Sequence, residues 1–460
     1  MTHNSKLDVQ QFLDAHPVSN FQWRLFAFCF VIMLLDGFDT AAIGYVAPSL
    51  IGEWGISKAA LSPVLSAALF GLSFGALMAG PLADRFGRKR LICASVALFG
   101  GACLVSATAS SLDELAVLRF ITGLGLGAAM PNAITLMSEF VPTQRRSLLI
   151  NAMFCGFPLG AALGGFLAAW MIPHWGWRSV FGLGGVTPLL LLVFLLLAMP
   201  ESVRYMVTRG FAAERIRAVL RKVSASLPAD AEFVQAEAAP ASAKQGGLGL
   251  VLSRSYLLGT VMLWIAYFMG LVIFYALINW MPLLLKDTGM PAAQATLITA
   301  LFPLGGIGAL LSGWLMDRHN ANRVVAIFYG ITALSVFLIG QVSGQTALLV
   351  LVVLAAGVFM NTAQSSMGVL AASFYPTTGR ASGVAWMLGI GRFGGIAGSF
   401  LVGILAQRQL PLSAVFSVIA IAGALAALAL VIKQRAEPVP SQQGNAGLSP
   451  IALGEGLNAH

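Results

Sequence analysis

The apolar residues of this sequence come in runs of roughly 18–25, the length that carries a helix across about 30 Å of hydrocarbon. That one feature removes most folds from consideration. The stretch from Thr187 to Met199 is apolar throughout. A membrane barrel strand would instead alternate lipid-facing and lumen-facing residues. Backbone groups in lipid find no water to bond, so continuous runs of this kind must be helices. Composition agrees, since 58% of the 460 residues are hydrophobic and 10% are charged. An average soluble domain carries roughly 25% charged residues, and a soluble chain of this length could not cover its surface with so few.

The expected fold is an all-α membrane protein of about twelve transmembrane helices. The spans fall near 24–47, 61–82, 91–109, 114–137, 147–171, 178–199, 256–284, 293–315, 323–341, 346–370, 381–406 and 412–432. They divide the chain into an N-terminal segment (1–23), a first six-helix half (24–199), a linker (200–254), a second half (255–432) and a tail (433–460). The linker is charged and alanine-rich, with room for a short amphipathic helix near Ala212–Val223. The tail is rich in Pro, Gly, Ser and Gln, a composition that favours disorder. The first twenty residues are polar and lead straight into a full span, so no cleavable signal peptide is expected.

Lys and Arg crowd alternate loops: Arg85, Arg88, Lys89 and Arg90; Arg145 and Arg146; Arg204 to Arg254; Arg318 and Arg323; Arg380, Lys433 and Arg435. The intervening loops hold Lys58, Arg178, Lys286 and Arg408. This is the positive-inside bias, and it puts both termini in the cytoplasm of a bacterial inner membrane. It also accounts for the net charge of +9 without invoking nucleic acid. Cys29, Cys93, Cys103 and Cys155 lie in or beside apolar runs, with neither metal-ligand spacing nor a disulfide framework. They read as small buried hydrophobes.

The two halves repeat. The loop from Gly80 through Asp84, Arg85, Gly87 and Arg88 to Arg90 follows span two, and Gly313 to Arg318, with Asp317, follows span eight. At nearly the same offset Pro142 and Arg146 match Pro376 and Arg380, and Met153, Gly160 and Gly164 match Met387, Gly394 and Gly398. A parallel repeat of six spans is the architecture of the major facilitators. The string Gly80 to Arg90 resembles the cytoplasmic signature of that superfamily. Arg119 with Gly123, Gly125 and Gly127 resembles its fourth-span motif, and Pro200-Glu201-Ser202 with Arg204-Tyr205 resembles the end of span six in its metabolite carriers. Asp36-Gly-Phe-Asp39, continuing to Pro48, looks like the first span of the aromatic acid:proton symporters. So do the stretches beginning at Phe268 and at Trp386. The second-half loop departs from the pattern, with His319-Asn320 in place of Phe-Gly.

Charge inside hydrocarbon is expensive, about 2.5–3.5 kcal/mol on insertion scales, so Asp36, Asp39, Arg119 and Arg392 stand out. The two aspartates are three residues apart and share a helix face. A desolvated carboxyl can hold a proton near neutrality, and an Arg fork fits a carboxylate bidentately. Each residue also has a plainer reading. The aspartates could be ion-paired groups that hold helices together, Arg119 could be locked in a salt bridge to a span-one aspartate, and Arg392 could pack at a helix kink. Asp84, Arg85, Arg88, Glu139, Arg146, Asp317 and Arg380 lie where a cytoplasmic gate would form, or else in ordinary solvated loops. His319 reads as a surface loop residue. Phe157, Tyr267, Phe268, Tyr275 and Trp386 are candidates to sandwich a flat ring. Asn279, Asn361 and Gln364 could bond a ring hydroxyl, or bond only a neighbouring helix.

No nucleotide-binding loop, metal cluster or Ser/His/Asp set at meaningful spacing occurs, and Gly123, Gly125 and Gly127 lie inside an apolar helix. No enzyme and no cofactor is expected. The resemblance implies a symporter that imports an aromatic carboxylate of the hydroxybenzoate or benzoate type with protons, by alternating access. Asp36 and Asp39 would couple the proton, and Arg392, with or without Arg119, would hold the carboxylate. The expected partners are that small molecule, the proton and the lipid bilayer, with the protein a monomer. A carrier of another organic anion, such as a sugar acid, and a non-transporting sensor of aromatic acids remain open.

Overall fold

The computed structural model describes residues 6–224, 232–234, 248–308, 315–316, 318–375 and 377–435. Its long helices follow the apolar runs. The first half holds α1 (Asn20–Trp54), α2 (Lys58–Phe86), α3 (Arg88–Ser106), α4 (Leu112–Phe140), α5 (Thr143–Trp175) and α6 (Arg178–Ala198). The second holds α7 (Leu257–Lys286), α8 (Ala292–Leu304), α9 (Ala321–Gln341), α10 (Thr346–Phe374), α11 (Thr377–Gln407) and α12 (Leu412–Arg435). Among the described residues 11 helices are long and apolar enough to cross a membrane, and α8 is a shorter apolar helix continued by a 3-10 turn, Gly305–Gly308.

Polar residues at the helix ends set where each span starts and stops. Ser19 and Gln22 form a reciprocal capping box at the start of α1, and Ser57 and Ser111 cap α2 and α4. Each supplies an acceptor to a first-turn N–H that has no helical partner. Gly55 ends α1 in the left-handed region with φ 61°. The turn between α2 and α3 rests on Gly87, whose φ of 95° suits no other residue well.

Within the first half α1 packs on α5, α2 on α4, and α3 on α4 and α6; within the second α7 packs on α11 and α12, α9 on α10 and α12, and α8 on α10. The internal repeat reappears as one packing seam used twice. A Cβ at Gly160 would fall 1.8 Å from the Leu34 carbonyl oxygen, and one at Gly394 would fall 2.2 Å from that of Phe268. Leu34 and Phe268 stand as far apart in sequence as Gly160 and Gly394 do. Small residues let backbones touch where lipid offers helices no hydrophobic incentive to associate.

The halves meet where α5 packs on α8, α2 on α11, and α1 on α7. At the end opposite the chain termini they are pinned together. Lys58 forms an ion pair with Asp287, and Lys286 Nζ donates to the Pro48 carbonyl at 3.2 Å. At the end that carries the termini, the described polar contacts run within a half: Gln22 to the Phe140 carbonyl, Lys433 to Asn322 at 2.8 Å, and Arg323 to Gln434 at 3.2 Å.

A strand pair and a helix before α1 lie outside the helical expectation, while the short linker helix expected near Ala212–Val223 is present as Ala213–Leu220. Lys6–Asp8 pairs in parallel with Glu232–Val234, joining the N-terminal segment to the linker. The helices Val9–Asp14 and Ala213–Leu220 bury Phe12, Leu13, Ile216 and Leu220 in the core of the first half. Neither strand is longer than three residues, too short for an alternating pattern to register.

The seam can be tested with a matched pair. Gly394→Val forces a side chain into the Phe268 carbonyl and should destabilise the detergent-solubilised protein by about 1–3 kcal/mol. Gly389, on the same helix, has nothing within 4 Å of its Cβ position, so Gly389→Val should leave the melting temperature unchanged. Thermal unfolding followed by size-exclusion chromatography distinguishes the two.

Candidate functional site

The aspartates of α1 share a helix face but not an environment. Asp39 accepts from Arg119 Nη1 at 3.0 Å, and both are 1% exposed. Arg119 also donates to Ser106 Oγ at 3.4 Å and Thr122 Oγ1 at 3.1 Å, and its guanidinium lies 4.7 Å from the Phe181 ring centre. Of the two readings left open for Arg119, the geometry has the salt bridge. The residue is enclosed by α1, α3, α4 and α6 of its own half. Asp36, one turn earlier, has no cation in contact. Its Oδ1 takes a long bond from the Thr40 hydroxyl at 3.4 Å, and its Oδ2 is buried without a partner among the described residues.

Arg392 comes from the other half. It is half-buried on α11, and its Nη1 donates across the boundary to the Leu72 carbonyl of α2 at 3.3 Å. It interacts electrostatically with Asp36, Tyr267 and Tyr275. The two tyrosines can lie beside it because α11 has glycine where their rings pass: Gly391 against Tyr267 and Gly395 against Tyr275. From the first half Phe157 faces Phe274 with ring centres 6.1 Å apart, and Phe274 is in turn 5.2 Å from Tyr275. Asp36, Arg392, Phe157, Tyr267 and Tyr275 therefore form one group between the halves. Phe274, from the same run of aromatic residues on α7, belongs with them. Phe268 is half-buried one residue along α7.

The polar candidates divide. Gln364 of α10 accepts from the Tyr329 hydroxyl at 2.8 Å and lies within hydrogen-bonding reach of Tyr267. Asn361 donates to the Phe302 carbonyl at 3.1 Å and the Gly357 carbonyl at 2.8 Å, so its nitrogen ties α10 to α8. Asn279 is 1% exposed and donates to Ser399 Oγ at 2.9 Å. It is a strut between α7 and α11 rather than part of the group around Arg392. Trp386 also stands apart, 42% exposed and stacked on Trp264 at 6.2 Å.

At the termini-bearing end Arg88 reaches Asp84 at 3.5 Å and Glu139 at 3.4 Å, and the Ser202 hydroxyl donates to Glu139. Glu201 accepts the Lys89 N–H at 3.1 Å, Tyr205 donates to the Arg85 carbonyl at 3.1 Å, and Arg209 to the Asp84 carbonyl at 2.7 Å. Glu201, Ser202, Tyr205 and Arg209 were given no role from sequence, although the run from Pro200 to Tyr205 signalled the first three. Arg146 bonds Gln10 at 2.9 Å, beside Asp14, which accepts the Thr143 N–H at 2.7 Å. Burial opposes ionisation of Asp14, but the bonds from Thr143 and Gln10 and the charge of Arg146 outweigh it and hold its carboxyl below the usual range. Arg85, Arg380 and His319 are exposed, and Asp317 lies outside the described residues.

Two packed half-bundles of membrane-length helices, with a carboxylate and a guanidinium buried between them, define a membrane transporter. The chain belongs to the major facilitator superfamily, whose family profile matches residues 29–309 and 263–457. It is similar to the 4-hydroxybenzoate transporter PcaK of Pseudomonas putida, 48% identical over 428 residues that cover 93% of this chain and 96% of the relative. It is 45% identical over 429 residues to a gallate transporter of the same organism, covering 93% and 95% of the two chains. A crystal structure of a D-xylose-proton symporter superposes with a TM-score of 0.68 at 19% identity, covering 89% of this chain and 97% of that one. The relatives are transporters, and this chain is a transporter and not an enzyme.

The pairing of Asp39 with Arg119 predicts an asymmetric mutant cycle. Asp39→Asn leaves a buried guanidinium unanswered and should destabilise by about 3–5 kcal/mol. Adding Arg119→Gln should recover much of that loss in the melting temperature. A double variant no more stable than Asp39→Asn alone would refute the pair.

Proposed function

We propose that this chain is a proton-coupled symporter of the bacterial inner membrane that imports an aromatic carboxylate of the hydroxybenzoate type by alternating access. The observation that carries the reading is the buried, unpartnered Asp36 Oδ2 in the field of Arg392, between the halves and beside aromatic rings. Midplane sites between repeats are where such transporters bind. Arg392 supplies a fork for the carboxylate, and Phe157, Tyr267, Phe274 and Tyr275 supply faces for the ring. Asp36 carries the proton. Bound substrate would set a second anion near Asp36 and favour its protonated form, which links the two cargoes. The names of the 4-hydroxybenzoate and gallate relatives support the substrate class.

By the positive-inside rule the termini-bearing end is cytoplasmic. The contacts from Lys58 to Asp287 and from Lys286 to Pro48 then close the periplasmic side, and the described conformation faces inward. Asp84, Arg88, Glu139 and their partners at the end of span six bias the exchange with the outward-facing state. Asp39, held by Arg119, is the further candidate for the coupling proton.

Asp36→Asn imitates a permanently protonated carboxyl. In proteoliposomes with an imposed pH gradient it should abolish concentrative uptake of labelled 4-hydroxybenzoate while retaining counterflow. For one proton per monoanion the wild type should accumulate close to tenfold per pH unit. Accumulation by the variant at wild-type levels would sink the assignment of Asp36.

Arg392→Lys keeps the charge but loses the bidentate geometry, and should weaken substrate binding by about 2 kcal/mol. Wild-type affinity in Arg392→Ala would place the carboxylate elsewhere.

A further inference from the structure

The Gln364 side chain is oriented from one end. Tyr329, wholly buried on α9, donates to its Oε1 at 2.8 Å, and Tyr267 of α7 brings a second phenol within reach of the same side chain. Gly270 makes room for the arrangement. A Cβ there would lie 2.0 Å from Gln364 Oε1 and 2.7 Å from the Tyr329 hydroxyl. Tyr329 thereby fixes the amide oxygen through one of its lone pairs. The amide nitrogen must then face the other way. Nε2 is buried and has no partner among the described residues, and a buried donor in that condition calls for water or a ligand.

Tyr267 also interacts electrostatically with Arg392. One phenol thus neighbours both the guanidinium and the amide, which brings the two to a single site.

We propose that Gln364 Nε2 donates to a ring hydroxyl of the substrate and selects hydroxylated aromatic acids over unsubstituted ones. Tyr329 acts as a positioning residue that keeps the nitrogen turned inward. This rests on the aromatic-carboxylate reading above. A hydroxybenzoate would be held at both ends, by Arg392 and by Gln364, whereas benzoate would leave Nε2 unanswered. A site built to bond a hydroxyl rejects the analogue that lacks it far more strongly than an apolar pocket rejects one that gains it.

The test is equilibrium binding of labelled 4-hydroxybenzoate and benzoate to the purified full chain. Wild type should prefer the hydroxylated acid. Gln364→Leu should lose at least about tenfold of that preference, by weakening 4-hydroxybenzoate and leaving benzoate unchanged. Tyr329→Phe should shift the preference in the same direction by less, because the amide is then free to turn. Equal weakening of both acids by Gln364→Leu, or an unchanged preference, overturns the proposal. Should Gln364→Leu not yield monodisperse protein, Tyr329→Phe decides, and an unchanged preference there overturns it. A wild type that binds both acids equally sinks this inference alone, whereas one that binds neither sinks the aromatic-carboxylate reading itself.

Discussion

A charge in hydrocarbon persists only where another group answers it, and the architecture depends on how that demand is met. Arg119 is answered by Asp39, Ser106, Thr122 and the face of Phe181, with its Nε alone left without a hydrogen-bond partner among the described residues. Four helices of the first half are thereby tied at one point. Arg392 is answered only in part, by one carbonyl of the opposite half at 3.3 Å. Asp36 retains an oxygen with no partner among the described residues. A filled electrostatic site locks helices together, and an unfilled one is what the proposed binding of a ligand would complete. The first kind lies inside a half and the second lies between halves, where relative motion can change what fills it.

The spans were legible because hydrocarbon imposes length and continuity on any crossing segment. The seams were legible too, since glycines at equivalent places in both halves announce close backbone approach. What the sequence could not supply is rotation about each helix axis. Depth along a shared face was no more legible: Asn279 and Tyr275 lie one turn apart on α7, yet one bonds Ser399 and the other lies beside Arg392. Hydropathy is nearly uniform around such a helix, so no amphipathic stripe tells its faces apart. Arg119 had two defensible partners on chemical grounds, and only placement chose between them. Tyr329 gave no signal, being one aromatic residue in a run of apolar ones, and its bond to Gln364 joins two neighbouring helices.

The termini-bearing end shows a second kind of economy. The turn at Gly87, where a Cβ would lie 2.4 Å from the Glu201 carboxylate, seats the loop after α2 against the chain leaving α6. The N-terminal helix Val9–Asp14 docks on the start of α5 through Asp14 and Thr143. The loop after α2, the described N-terminal segment and the chain leaving α6 are thereby held to the first half.

The doubled seam also bears on ancestry. If α1 and α5 are copies of the unit that became α7 and α11, then the position of Asp36 corresponds to Gly270, that of Asp39 to Ile273, and that of Arg392 to Pro158. The backbone contacts survived duplication while these three intramembrane charges were each kept on one side only. One copy holds the acidic groups, the other holds the lone guanidinium, and the vacancy left opposite Asp36 is the glycine that admits Gln364 and Tyr329. Specialisation of this kind needs no new fold, only the loss of complementary residues from twin scaffolds.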